Sequence, residues 1–518
     1  SVKTILFLCI FPLAALAQNT PSELHGFIEI EAENFIEQSK NEKRKWEKIT
    51  LQTSNNHTQS AGKNTYLECL PDTRVTHDDK LINGENFSNK AGEIAVLSYK
   101  VNFTTTGRFY VWVRAYSTGS EDNGIHVGVD NQWVESGKRM QWCEGKNNWT
   151  WASKQRTEKN HCGEPFKIYL DIDKTGEHLV QFSMREDGFE FDKFILTTDK
   201  NFNPNTTLKR SQIFIRDPFI YADESTKTYY MYSSVYQLEY LATPENGVMV
   251  YESKDLENWS MPKYVYKIPQ NWWASEKHRA WAPEVHKYKD KYYLFATFTH
   301  PDKALSAKNP AAKATLRGTA ILVSDSLTGP FKPLSETAQT PMDWMALDGT
   351  LFIEKGNPFL VFCHEWIQTI DGTMEMVALT NDLSKAKGSP KTLFKATDAD
   401  WVKKLDTVKA WNTDGYITDG PWFYRTKSGK LLMLWSSFGN KGYAVGIAES
   451  SNGKLTGKWT QKERLFETDG GHAMIFKTFE GKMILTLHQP NSGDIRARFF
   501  EVEEKNETLV IGNLIDFK

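Results

Sequence analysis

Cysteine, long apolar runs and net charge are all scarce in this sequence, and each absence narrows the possibilities. The 518 residues include 5 cysteines, and none has the spacing of a metal site or of a cysteine nucleophile. The formal net charge is -2, which gives no electrostatic basis for a nucleic acid or an anionic membrane as partner. Phosphate-binding loops and Ser-His-Asp signatures are also missing. The sequence indicates a soluble globular protein.

The one marked apolar run stands at the beginning, in "SVKTILFLCIFPLAALAQ". A single Lys3, an apolar stretch and a small-x-small ending are typical of a signal peptide over residues 1–17, and the run is too short to span a bilayer. We therefore expect export to the periplasm or the medium, without a membrane anchor. Export permits disulfides, and Cys143 with Cys162 would close a short loop, although the sequence alone does not fix the pairing.

The remaining chain divides into two patterns, as its length predicts. Residues 20–200 contain short alternating strands such as "GRFYVWVRAY" with turns at close spacing, which predicts a β-sandwich of jelly-roll type. The stretch "NFNPNTTLKRSQ" is typical of a linker. Residues 208–518 repeat a unit of four strands five times. The predicted fold class is all-β, with the sandwich followed by a five-bladed β-propeller.

The repeat units begin with residues that carry chemistry. The starts are separated by 66, 65, 71 and 53 residues, at Asp217, Pro283, Asp348, Asp419 and His472. The innermost strand of each blade lines the central channel, so equivalent starts converge on one face. A lone Asp before Gly or Pro is usually turn chemistry, but three at equivalent positions predict a shared funnel in which repulsion raises at least one pKa. Paired carboxyl groups of this kind are the apparatus of glycoside hydrolysis.

The segments "RDPFI", "WAPEV", "LDGTLF" and "DGPWFY", in this order, resemble glycoside hydrolase family 43 over the whole C-terminal part of the chain. The resemblance implies an inverting and mostly exo-acting enzyme. It implies Asp217 as the general base and Asp348 as the acid that orients the proton donor and tunes its pKa. Asp419 stands where the family has a glutamate as general acid.

The shorter acid is a departure from the family pattern. An aspartate ends one methylene earlier, so its proton would stop about 1.5 Å short of the family position. Two glutamates are possible substitutes, Glu365 in "FCHEWIQ" and Glu284 in "WAPEV". Asp419 remains the first candidate for the donor, with Glu365 ahead of Glu284.

Aromatic side chains near the unit starts are candidates for stacking on sugar rings, although most propeller tryptophans serve packing. The candidate substrate-binding residues are Trp281, Trp344, Trp366, Trp422 and His472. His472 is also a candidate for binding an axial metal or water, and a hydrogen-bonded core histidine is the alternative.

The sandwich has a resemblance of its own. "IEIEAENF" at its beginning and "REDGFEFDKFIL" at its end resemble the galactose-binding-like fold of carbohydrate-binding module families 6 and 35. The resemblance implies a structural calcium at Glu31, Glu33 and Asp192, since hard cations take oxygen ligands; solvent-facing acids on an edge strand are the alternative. No cofactor is expected for catalysis.

These patterns lead to two functional expectations. The first is an exported exo-glycosidase that removes a terminal pentose from a plant or algal polysaccharide. A β-xylosidase is the leading form, and an α-L-arabinofuranosidase is the alternative. The second is a carbohydrate-binding propeller that has lost activity, suggested by the missing glutamate. The sequence does not indicate an oligomeric state.

Overall fold

The computed structural model describes residues 19–39, 43–53, 57–58, 61–241, 243–408 and 411–518. The expected signal peptide at residues 1–17 lies outside these ranges. The predicted all-β fold class is confirmed, with a two-sheet sandwich followed by five blades. Among the described residues no helix has the length and apolar character needed to cross a bilayer.

The sandwich consists of two seven-stranded antiparallel sheets with a shared apolar core. Inward side chains alternate with more exposed ones along the longer strands, as in Gly107–Tyr116, which explains the period of two in the sequence. The first sheet contains Phe27–Glu31, Lys45–Ile49, Tyr66–Leu70, Gly107–Tyr116, Trp149–Ala152, Tyr169–Ile172 and Glu190–Thr197. The second contains Glu37–Gln38, Val96–Phe103, Gly124–Val129, Met140–Gln141, Lys154–Gln155, Glu164–Pro165 and Gly176–Met184.

Each propeller blade is an antiparallel meander that runs from the central channel outward. Second strands such as Leu431–Gly439 are buried on both faces because neighbouring blades cover them, so they appear in the sequence as continuous apolar runs. Blade 1 contains Thr207–Lys209, Phe219–Asp223, Thr228–Ser234, Gly247–Ser253, Asn258–Ser260 and Lys263–Lys267; blade 2 contains Trp281–Tyr288, Lys291–Ala304, Thr315–Ser324 and Lys332–Pro333.

The other three blades have four strands each. Blade 3 contains Ala346–Glu354, Asn357–His364, Thr373–Leu379 and Ala386–Lys395; blade 4 contains Asp419–Arg425, Leu431–Gly439, Gly442–Ser450 and Trp459–Gln461; blade 5 contains Gly471–Lys477, Met483–Gln489, Arg496–Lys505 and Thr508–Ile515. A separate two-stranded pair, Leu405–Val408 and Thr413–Gly415, precedes blade 4. The helical segments are Ala32–Asn34, Gly62–Asn64, Glu135–Gly137, Arg210–Gln212, Trp366–Thr369 and Ala396–Asp398.

Buried charges connect the two parts of the molecule. Lys263 of blade 1 forms ion pairs with Glu29 of the sandwich at 2.5 Å and with Glu252 at 2.6 Å. Burial alone would raise the pKa of Glu29, but Lys193 and Lys263 outweigh it and lower that pKa to about 2. Because breaking a buried ion pair leaves a charge without its partner, this contact fixes how the sandwich meets blade 1.

Arg210 joins the segment between the two domains to the C-terminal blade. Its guanidinium is 1% exposed, pairs with Glu257 at 2.9 Å and donates to the carbonyl oxygens of Ala497 and Ile515. The first and last blades are therefore tied together by side-chain hydrogen bonds to the backbone.

Candidate active site

The five inner strands begin with the same backbone feature. Asp217, Ala282, Asp348, Gly420 and His472 have φ between 46° and 58°, and register shifts mark the starts of the inner strands in blades 2 to 5. A bulge of this kind re-aims a side chain, and Asp is among the residues that best tolerate the left-handed region. Local backbone geometry therefore turns the side chains of Asp217, Asp348 and His472 toward the axis.

Asp217 is surrounded by positive or hydrogen-bonding partners. Its Oδ1 lies 3.2 Å from His472 Nδ1 and 3.2 Å from His488 Nδ1, and its side chain is 19% exposed. Burial pushes the pKa of Asp217 upward, but His472, His488 and the charge of Arg216 outweigh burial and hold this pKa below the usual range. Asp217 is therefore ionised at neutral pH.

Asp348 has fewer compensating partners. Its Oδ2 accepts the Gly420 N–H at 3.0 Å and lies 3.6 Å from His472 Nδ1, and its own N–H donates to Thr297 Oγ1 at 2.9 Å. Burial raises the pKa of Asp348 well above its usual range, the charge of Asp217 adds to the shift, and the Gly420 hydrogen bond opposes it.

Asp419 is held by one tyrosine. The Tyr443 hydroxyl donates to Asp419 Oδ2 at 2.8 Å. Burial and then the neighbouring Asp348 raise the pKa of Asp419 to about 8, while the Tyr443 hydrogen bond opposes the rise. Asp419 is thus protonated at neutral pH.

The structure brings the three predicted carboxyl groups together. His472 lies between Asp217 and Asp348, and the backbone next to Asp419 hydrogen-bonds Asp348. The pKa of Asp217 is lowered while those of Asp348 and Asp419 are raised, and carboxyl groups with pKa values so separated are the combination required for general base and general acid catalysis at one site.

The two glutamates considered as substitute acids have partners of their own. Glu365 Oε2 accepts from Arg317 at 2.6 Å, and both side chains are about 5% exposed. Burial raises the pKa of Glu365, and Arg317 opposes the rise. Glu284 Oε2 lies 2.7 Å from His286 Nε2. Both glutamates thus have a basic side chain as partner, whereas Asp419 has a tyrosine hydroxyl, and the choice among the three candidate acids stays a prediction.

Only part of the predicted aromatic surface faces the pocket. Trp281 is half-buried and begins the inner strand of blade 2, with the Arg317 guanidinium 4.0 Å from its ring centre. Trp366, by contrast, is 4% exposed and packs edge-on against Trp411. The expectation that Trp366 stacks on a sugar is wrong because apolar neighbours cover its ring.

The other two tryptophans lie in different places. Trp422 packs partly against the apolar core and lines the same small cavity as Asp217 and His472, so its role in substrate binding stays a prediction. Trp344 stacks on His364 with ring centres 3.9 Å apart and lines a separate groove beside Pro341 and Pro390. His472, placed among the substrate-binding candidates, has its Nδ1 directed at the two carboxyl groups.

A small cavity of about 10 Å³ adjoins Asp217 and His472 and has room for about one water. In blade 2, the loop between the second and third strands contacts two other segments: Lys308 N–H donates to the Gln368 carbonyl, and Lys313 N–H to the Trp411 carbonyl, both at 2.9 Å.

Three supporting residues were missed in the sequence. Thr297, Ser436 and His488 lie on second strands and accept hydrogen bonds from the backbone N–H groups of Asp348, His472 and Asp217 respectively. Each of them pairs with the start of the inner strand of its own blade, as the register of Gly471 with His488 shows. A polar residue at that position of a second strand was the available signal.

The acidic cluster in the sandwich is different. The Oε2 atoms of Glu31 and Glu33 are buried and have no hydrogen-bond partner. Burial is the main cause that raises the pKa of both glutamates to about 7; Lys193 opposes the rise at Glu31, and Asp192 adds to it at both. Asp192 forms an ion pair with Arg114 and accepts the Gly62 N–H at 2.7 Å.

Two of these groups have the chemistry that a calcium ion needs. A Cβ at Gly62 would lie 2.6 Å from Glu31 Oε2 and 3.0 Å from Asp192 Oδ1, so both carboxyl groups border one small space. Buried oxygens without partners are the donors that a hard cation takes. Glu31 and Glu33 fit this requirement, whereas Asp192 is already engaged. Within the described ranges no group of three or more His, Cys, Asp or Glu residues has the arrangement of a metal site.

Sequence comparison assigns both parts of the chain. Residues 211–505, more than half of the chain, match Glycosyl hydrolases family 43. Residues 22–207 match the Glycosyl hydrolase family 115 C-terminal domain, so the sandwich is similar to an accessory domain of another hydrolase family.

Individual relatives are consistent with this assignment. The chain is 50% identical over 229 residues to the Uncharacterized protein P23 of Formosa agariphila, covering 42% of this chain and 54% of that protein. It is 28% identical over 141 residues to the Extracellular endo-alpha-(1->5)-L-arabinanase 1 of Bacillus subtilis, covering 26% and 41%. The chain thus spans about half the length of the curated relatives that it matches.

A solved structure matches the propeller. The endo-arabinase from Bacteroides thetaiotaomicron has 39% sequence identity and a TM-score of 0.51, and the match covers 58% of this chain and 98% of that one.

Proposed function

The chain belongs to glycosyl hydrolases family 43, and from this membership we propose that it is an inverting, exo-acting glycosidase that releases a terminal pentose from a plant or algal polysaccharide. One observation carries the proposal: burial and local charges lower the pKa of Asp217 and raise that of Asp419 to about 8. When the surroundings of two carboxyl groups separate their pKa values, the group with the lower pKa acts as the base and the group with the higher pKa as the acid.

In the proposed reaction Asp217 accepts a proton from a water molecule as the water oxygen bonds to the anomeric carbon. The glycosidic C–O bond breaks, its electron pair stays on the leaving oxygen, and Asp419 donates a proton there. Asp348 positions the donor through the Gly420 N–H and keeps its pKa high. A gap of about 6.5–9.5 Å between acid and base admits the water and inverts the anomeric centre.

The relatives guide the choice of sugar. The solved structure with 39% identity is named an endo-arabinase and the curated relative with 28% identity an endo-arabinanase, so the two names support the sugar and not the exo mode of cleavage. We therefore place a terminal α-L-arabinofuranosyl residue first and β-D-xylose second. The preference for β-xylose in the sequence-based expectation rested on family frequency alone.

The test is turnover of paired substrates by the purified protein. We expect release of arabinose from a nitrophenyl α-L-arabinofuranoside and from debranched arabinan, with the opposite anomer seen first by NMR. The control is Asp217→Ala, with an expected loss of at least about 10³-fold in kcat. Oligosaccharide products without free arabinose would contradict exo action, and xylose release alone would favour the second sugar. Absence of turnover on every glycan, with binding retained, would support an inactive propeller.

Two further proposals accompany this function. The leader-like residues 1–17 and the Cys143–Cys162 disulfide support export, because disulfides persist in oxidising compartments. Glu31 and Glu33 would hold a calcium ion through their unpartnered oxygens. The ion would neutralise the two buried carboxylates and brace the sandwich.

A further inference from the structure

Tyr443 connects the acid side of the pocket to the base side. It begins the third strand of blade 4, is 3% exposed, and its hydroxyl donates to Asp419 Oδ2 at 2.8 Å. Its ring stacks on that of His488 with centres 5.4 Å apart and planes 21° apart, and His488 in turn contacts Asp217.

The ring of Tyr443 is held rigidly. A Cβ at Gly471 would lie 2.3 Å from two ring carbons of Tyr443, so only glycine permits this approach. Phe438 packs edge-on against the other side, 5.1 Å between ring centres, and the Tyr443 N–H donates to Asp469 Oδ1 at 3.2 Å. Side chains locked by such packing hold a hydrogen-bond partner in one place.

We propose that Tyr443 is the positioning residue that allows the short Asp419 to act as proton donor, by fixing which carboxyl oxygen carries the proton. This inference rests on the proposed function. The Tyr443 hydroxyl donates to Oδ2, so the proton of Asp419 resides on Oδ1 and points away from the tyrosine. A glutamate is long enough to reach the leaving oxygen, whereas the shorter Asp419 depends on Tyr443 to orient its carboxyl group.

The same bond stabilises the product of proton transfer. When the Oδ1 proton moves to the leaving oxygen, the glycosidic C–O bond breaks and Asp419 becomes a carboxylate. Its Oδ2 still accepts the Tyr443 O–H, and a hydrogen bond to an ionised acceptor is roughly twice as strong as one to a neutral acceptor. Tyr443 remains a donor because burial, and then the charge of Asp419, raise its pKa well above the usual value.

Several other groups act on the same carboxyl group. Asp348 and Asp217 raise the pKa of Asp419, whereas Tyr443 and His472 lower it. His488 lies against the other face of the tyrosine. Removing only the phenol oxygen changes one of these influences and leaves the others in place.

The experiment compares Tyr443→Phe with wild type on two substrates that share the sugar but differ in the leaving group. An arabinose disaccharide needs protonation of its leaving oxygen, whereas a nitrophenyl glycoside needs little. We expect kcat/KM to fall about 10- to 100-fold on the disaccharide and less than about 3-fold on the nitrophenyl glycoside. The alkaline limb of the pH profile should move upward, because the pKa of Asp419 rises without the tyrosine hydroxyl.

The matched control is Tyr424→Phe, which removes a phenol bonded to Glu504 elsewhere in blade 4 and should change neither substrate. Equal losses on both substrates, or an unmoved alkaline limb, would overturn the role of Tyr443. If thermal unfolding shows that Tyr443→Phe is not folded, fluorotyrosine at position 443 replaces it as the test. Fluorotyrosine keeps the ring and is a stronger hydrogen-bond donor, so the alkaline limb of the pH profile should move to lower pH. Failure of the proposed function looks different: wild type itself would be inactive, or Asp217→Ala would be active.

Discussion

The propeller and the sandwich each bury a cluster of acidic side chains, but the two clusters differ in what surrounds them. In the propeller, Asp217 has His472 and His488 at 3.2 Å, and its pKa is lowered while that of Asp419 rises to about 8. In the sandwich, Glu31 and Glu33 both have their pKa raised to about 7, and each keeps a buried oxygen without a partner.

The difference shows what determines the use of a buried carboxyl group. Positive partners near one acid and not another create an unequal pair, which can accept and donate protons. Two acids whose pKa values are raised alike make a poor pair of base and acid, because both favour the neutral form over the same pH range; the use that we propose for them is to hold a cation. The residue types are similar, and the neighbouring charges decide between catalysis and ion binding.

Among the tests of this comparison, loss of the proton donor should have the largest effect on activity. Asp419→Asn should lower kcat/KM for a sugar leaving group by about 10²- to 10⁴-fold, because general acid catalysis contributes that much. Glu33→Gln should leave kcat unchanged, since the sandwich cluster takes no part in the reaction. Steady-state kinetics on the same substrate measures both. A comparable loss in Glu33→Gln would show that the two clusters are not separate in function.

A smaller effect concerns the position of the pH limits. Because Asp217 must be ionised and Asp419 protonated, kcat/KM should fall as pH rises above about 8, whereas the acid limit should lie below the usual range of an aspartate. His488→Asn removes an influence that lowers the pKa of Asp217, so the acid limb should move to higher pH. The alkaline limb should stay within about half a pH unit, and a profile that shifts at the alkaline side instead would contradict the assignment of base and acid.

The smallest expected effect is on stability. A chelator should lower the melting temperature of the wild-type protein by about 5 °C, since a ligand at 100 times its Kd contributes about 2.7 kcal/mol and each kcal/mol corresponds to about 2–4 °C. The double variant Glu31→Gln with Glu33→Gln should not respond to calcium or chelator. Differential scanning calorimetry measures the shift, and Asp419→Asn, which should respond as wild type does, is the control.

The same cluster predicts the sign of the pH dependence in chelator. The folded glutamates keep their protons up to about pH 7, whereas unfolded ones lose them near 4.5. The folded state therefore binds more protons in this window, and the free energy of unfolding falls as pH rises from about 4.5 to about 7. Calcium should abolish that fall, and a rise in stability over the same window would exclude uncompensated acids at Glu31 and Glu33.

The sequence predicted the blades because a similar start recurs five times between Asp217 and His472, at spacings of 53 to 71 residues. The repetition also predicted that the three carboxyl groups meet, although the equivalent of Asp217 and Asp348 in blade 4 is Gly420, and Asp419 precedes it by one residue. The alternation in "GRFYVWVRAY" likewise predicted a half-buried strand of the sandwich.

The supporting contacts could not be predicted in the same way. Tyr443 and Gly471 are 28 residues apart and meet only because adjacent blades pack face to face. Arg317 and Glu365 form a buried pair across two blades, a contact between residues 48 positions apart that no local pattern indicates. The sequence also gave no sign that Trp366 is covered, because an apolar wall is made by segments distant in the chain.

The left-handed residue that starts each inner strand has a chemical consequence. The five positions are occupied here by Asp217, Ala282, Asp348, Gly420 and His472. Gly420 admits no side chain without a shift, because a Cβ there would lie 2.9 Å from the ring of His472. The other four decide which groups the five blades present near the axis, so the chemistry of the propeller is concentrated in a few residues whose backbone conformation favours Asp, Asn and Gly.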